Sequence, residues 1–120
     1  MQTLVFYAGL AILLAHELDA MSQSEWQLLF ILRKLPDDTA KTLFVLLHIP
    51  LTIFLLWLTH HHTLLIQQWA RSATMLFLIV HTALHARLSQ HPKNTFHSLL
   101  STGLIYGGGM IGTLYCLTIL

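Results

Sequence analysis

Charge is scarce in this 120-residue chain. Only 9% of its residues are Asp, Glu, Lys or Arg, whereas a soluble domain carries about 25%, so its surface must face something other than water. The same scarcity argues against a nucleic-acid partner. Six basic and five acidic residues leave a net charge of +1, with no basic stripe to track phosphates. Cysteine occurs once, at Cys116, which excludes a disulfide framework or a zinc ribbon within one chain. Near the end of an apolar run, Cys116 reads as a small apolar filler. Hydrolase signatures are missing too. No Gly-x-Ser-x-Gly occurs, and His16-Glu17 lacks the second histidine of His-Glu-x-x-His because position 20 is Ala.

Apolar residues fill the space, at 55% of the chain. The length holds four runs of about 20 residues, each enough to cross hydrocarbon as a helix. The sequence therefore predicts an all-α fold: one transmembrane domain over residues 1–120, an integral membrane four-helix bundle with spans at about 3–20, 40–58, 64–86 and 95–120. No Lys or Arg precedes the first run and Leu18-Asp19-Ala20 is a poor cleavage site, so it reads as a retained helix rather than a signal peptide. Ser22-Gln23-Ser24-Glu25 matches a capping box. That box would launch a short interfacial helix at about 23–35 that lies on the membrane surface. Pro36-Asp37-Asp38-Thr39 stops it and caps span two. Pro50 predicts a kink beside His48, since it removes a hydrogen bond to Leu46. Asn94 or Thr95 would cap span four.

Arg33, Lys34, Lys41, Arg87 and Lys93 lie in the connections at one end, and only Arg71 lies at the other. Short cytoplasmic loops collect positive charge. Both termini are therefore expected outside, in a bacterial inner membrane. Tyr7, Trp57, Trp69 and Tyr115 fall near the external boundary and Trp26 near the internal one, as an aromatic belt would. Span four carries Gly103-x-x-x-Gly107 and Gly108-x-x-x-Gly112. Small residues four apart let helix backbones approach closely in lipid, either within the bundle or as the seam of a homo-oligomer.

The chemistry-bearing residues gather at one depth. In an antiparallel bundle His16, Glu17, Asp19, His48, His81 and His85 all fall towards the cytoplasmic leaflet. At 1.5 Å per residue, His16 and His81 lie roughly 6–8 Å inside their helix ends. Titrating groups are rare in hydrocarbon without partners, and mark sites when they occur. His16 and Asp19 share a helix face, as do His81 and His85, whereas Glu17 points about 100° away. Two imidazoles four apart can grip one ion from a single helix. The candidate metal ligands are thus His16, Asp19, His48, His81 and His85, for zinc or iron, with Glu17 or Glu25 as general base. A structural polar network fits the same pattern. His60, His61 and His62, and equally His91 and His97, read as solvated turn residues.

Ala15-His16-Glu17-Leu18-Asp19-Ala20, followed by Glu25-Trp26, resembles the small bacterial membrane proteins described by a His-x-x-Glu-Glu signature. His16 fits the first position, Asp19 stands where the first Glu would be, and Ala20 replaces the second. The resemblance covers span one and the turn after it. It implies a short multi-helix membrane protein and supplies no activity. Three functions stay open: a metal-dependent membrane enzyme acting on a lipid-soluble substrate, a haem-binding redox protein using His48 with His81 or His85, and a non-catalytic protein acting through a partner.

Overall fold

The computed structural model describes residues 1–119. Four long helices dominate: α1 (Gln2–Ser22), α2 (Asp37–Thr59), α3 (Leu64–Arg87) and α4 (Leu99–Ile119). Among the described residues there is no strand. Helices α1, α2 and α4 are long and apolar enough to cross a membrane. Helix α3 has the length but not the same hydropathy, because Gln67, Gln68, Arg71, His81, His85 and Arg87 interrupt its apolar run.

The interfacial helix expected over residues 23–35 does not form. In its place stand two 3-10 turns, Glu25–Gln27 and Leu32–Lys34. The capping box fails because Ser22 still belongs to α1, and Ser24 takes a left-handed backbone at φ 54°. That turn drives the chain back under the helix ends and buries Trp26, Leu28 and Leu32. The segment is then stapled to α2, where Trp26 Nε1–H and Gln27 Nε2–H donate to Asp37 Oδ1 at 2.8 and 3.0 Å. Tertiary burial and side-chain bonds outweigh the local helix signal. Trp26 and Tyr115 are consequently core residues rather than belt residues, while Tyr7, Trp57 and Trp69 are exposed as expected.

Span four also begins later than expected. Thr95 does not cap it, because its hydroxyl donates to the Gln23 carbonyl at 2.7 Å and ties the α3–α4 connection to the end of α1. Ser98 Oγ instead accepts the Ser101 backbone N–H at 3.0 Å, so α4 starts at Leu99. Helix α2 runs through Pro50 from Asp37 to Thr59.

Two apolar clusters hold the bundle. Phe6, Leu10, Leu13, Met75, Leu78 and Tyr115 pack at the end bearing the N-terminus. Ala20, Trp26, Phe44, Phe96 and Ile105 pack around the 3-10 turns. The most intimate packing is α4 against α3 and α1, and glycines make it possible. A Cβ at Gly112 would fall 2.5 Å from the Met75 carbonyl, and one at Gly109 2.7 Å from Thr82 Oγ1. There the Thr82 hydroxyl reaches across to the Ile105 carbonyl at 2.7 Å. Gly103 and Gly107 face open space. Helix α2 is bound chiefly at its ends, where Ala40, Phe44 and Thr59 are buried, and Arg71 Nε–H donates to the Thr59 carbonyl at 3.0 Å. Its middle makes little contact with α1.

Candidate functional site

Between the two apolar clusters lies a cluster of imidazoles. His16 comes from α1, and His81 and His85 from successive turns of α3. Their Nε2 atoms converge. His81 Nε2 is 2.8 Å from His16 Nε2 and 3.1 Å from His85 Nε2. Glu25 enters from the 3-10 turn that Ser24 redirects. Its Oε2 lies 3.5 Å from His16 Nε2 and 3.8 Å from His85 Nε2, and its Oε1 lies 4.0 Å from His81 Nε2. One ligand atom from each of the four residues falls within 4.8 Å of the other three. Phe96, from the α3–α4 connection, closes the cluster with its ring 4.7 Å from that of His85 and 5.7 Å from that of His16. No pattern in the chain marked Phe96, because a single loop aromatic carries no periodicity.

The bonding is incomplete. A ring nitrogen offers either one hydrogen or one lone pair, so His81 Nε2 cannot donate to both of its neighbours. Glu25 Oε2 is buried and in ion-pair range, yet makes no hydrogen bond, and His16 Nδ1 is likewise buried and unbonded. Burial alone would raise the Glu25 carboxyl, but His16, together with His81 and His85, holds it below the usual carboxylate value. The carboxylate is therefore the form this setting favours, which suits it to a cation.

The remaining expected residues lie elsewhere. His48 does not join the cluster. Its Nδ1–H donates to the Phe44 carbonyl at 2.6 Å, and its Nε2 meets Glu17 Oε2 at 2.7 Å. The polar residues expected at one depth are thus divided between two groups. Glu17 leaves α1 on a different side from His16, as the 100° step requires, and that side faces α2. Asp19 stays outside the four as well, with Oδ2 buried and unbonded. His60 accepts from or donates to Tyr7 OH at 3.2 Å near the opposite end, while His91 and His97 bond only to their own connection.

Fold and site together define a small all-helical protein with membrane-length apolar helices and a buried His/Glu cluster. The chain belongs to the family of unknown function DUF6713, whose model matches residues 2–120. That membership has no bearing on the His-x-x-Glu-Glu resemblance. No curated protein and no solved structure matches the chain.

Proposed function

We propose that the chain is a four-span protein of the bacterial inner membrane that binds one transition-metal ion, zinc or iron, through His16, His81, His85 and Glu25 near the cytoplasmic boundary. The observation that carries this reading is the convergence of three Nε2 atoms on the Glu25 carboxylate, whose Oε2 is buried and unbonded. With metal–nitrogen bonds of about 2.0–2.1 Å, neighbouring ligands of a tetrahedral zinc stand about 3.3 Å apart. The observed separations of 2.8 to 4.0 Å bracket that value, so small side-chain rotations would suffice. Three imidazoles and a carboxylate suit zinc, while iron(II) would accept the same donors with positions left open.

Glu25 has two roles open to it. As fourth ligand it would close the site into a structural centre, and displaced by water it would stand as the base beside a metal-bound nucleophile. The haem alternative loses support, since both nitrogens of His48 are engaged and His81 and His85 touch each other from one helix. Metal analysis of full-length protein purified without a histidine tag tests the proposal. About one equivalent of zinc or iron per chain is expected, and it should be lost in His81→Ala. A native protein that retains no metal, and takes up neither Zn(II) nor Fe(II) when supplied, would leave a structural hydrogen-bond network as the better account.

A further inference from the structure

On the side of α1 that faces α2, next to the imidazole cluster, a cleft opens between α1, α2 and α3. It encloses about 320 Å³ and is almost wholly apolar, with Leu55 and Ala73 among its walls and Thr59 at one end. At the other end stand Glu17 and His48, the only ionisable residues that line it among the described residues. From His48 to Thr59 the wall of α2 rises roughly 16 Å at 1.5 Å per residue, about half of a ~30 Å hydrocarbon core and so the depth of a single lipid chain. The cleft exists because α2 is fastened at its two ends and stands off α1 between them.

We infer that this cleft binds a single-chain lipid bearing a hydroxyl head group, with the chain between α1 and α2 and the hydroxyl on Glu17. The polar end decides the head group. His48 Nδ1–H is spent on the Phe44 carbonyl and its Nε2 on Glu17 Oε2, while Glu17 Oε1 makes no hydrogen bond among the described residues, and Glu17 lines the cleft. The free group is therefore an acceptor, which calls for a donor on the ligand. A phosphate or ammonium head would be costly to desolvate inside the apolar cleft, whereas a hydroxyl bonded to Glu17 is not. Phe77 lines the cleft and also packs 5.2 Å from the His81 ring. The bound hydroxyl would thus lie one aromatic ring away from the imidazole cluster. The inference rests on the helices lying in a bilayer and not on a metal being bound.

Photolabelling tests it. The full chain without a tag is reconstituted in phosphatidylcholine vesicles with a trace of hexadecanol carrying a diazirine beside the hydroxyl, and the labelled peptides are mapped. Label should concentrate at the Glu17 and His48 end of the cleft, with the alcohol captured about fivefold better than a matched alkane probe, the ratio one net hydrogen bond supports. Ala73→Phe should abolish most capture, whereas Leu117→Phe, on an exposed face of α4, should not. Equal labelling of all lipid-facing helices, equal capture of alcohol and alkane, or capture unaffected by Ala73→Phe would each overturn the site. Metal content measured on the same samples keeps the two readings apart, since Ala73→Phe should leave it unchanged and His81→Ala should remove it without reducing capture. A chain that fails to float with the vesicles would overturn the bilayer reading and the lipid site together.

Discussion

His81 is the residue on which the cluster turns, because its Nε2 is the one atom in contact with both other imidazoles. His81→Ala should therefore abolish metal retention, whereas His48→Ala should leave it intact. The latter instead strands Glu17, and an unsatisfied group in an apolar setting costs about 1–3 kcal/mol; a lower melting temperature in detergent with metal content unchanged is the expected pair of results. Loss of metal in His48→Ala would mean that the two polar groups act as one site. Asp19 offers a further check. It lies three residues from His16 on the same helix face, and its Oδ2 and His16 Nδ1 are both buried and unbonded. Metal-bound imidazoles usually donate their other N–H to a carboxylate, and losing that partner weakens binding 10–100-fold. Asp19→Asn should lower metal affinity within that range without abolishing it, and unchanged affinity would show that Asp19 plays no part. The depth of the polar residues was legible in the sequence, since helical rise converts residue number into height. Their partition was not. Periodicity told which side of α1 Glu17 occupies, but only the stance of α2 determines that His48 waits there.

At the scale of elements, one backbone residue delivers Glu25. Ser24 at φ 54° sits where a side chain costs roughly 1–2 kcal/mol relative to right-handed geometry, and the turn it makes sends Glu25 inward. Ser24→Gly should relieve that strain and raise thermal stability slightly with metal binding kept. Ser24→Val should lower both stability and metal affinity, because a β-branched residue resists the turn. Metal affinity unaffected by valine would show that Glu25 reaches the cluster without it. This element was misread from sequence for a definite reason: Ser22 and Glu25 carry the spacing of a capping box, and nothing local reveals that Trp26 and Gln27 have Asp37 to bind. The glycines of α4 divide more cleanly. Gly112→Leu should destabilise the monomer by about 1–3 kcal/mol or more, as overpacking does, since even a Cβ meets the Met75 carbonyl. Gly103→Leu and Gly107→Leu meet open space and should leave the monomer's melting unchanged. A reduced particle size in either would identify that outer pair as an oligomer seam. The small-residue spacing was legible, but which pair faces inward depends on how α4 is rotated, and two overlapping motifs leave that open.

For the whole molecule the central question is whether α3 crosses the bilayer with the other three. Its hydropathy falls short, yet several of its polar groups are spent internally. Arg71 bonds the Thr59 carbonyl, the Thr74 hydroxyl reaches the Ala70 carbonyl, the Thr82 hydroxyl reaches the Ile105 carbonyl, and His81 and His85 meet His16. A spanning helix carries polar residues when they face the bundle and find partners, so the deficit is compatible with the proposed fourth span. The long dimension of 42 Å matches a bilayer of about 40–45 Å with its head-group regions. On the proposed four antiparallel spans both termini would lie on one side, and the five Lys and Arg residues of the other side would mark it as cytoplasmic. Reporter fusions at the N-terminus, at the C-terminus and within the 87–94 connection separate the alternatives. Both termini should report from outside and the connection from the cytoplasm. An external N-terminus with a cytoplasmic C-terminus would mean that α3 does not cross. Two cytoplasmic termini would keep the four spans but invert them, and the imidazole cluster would then open outward.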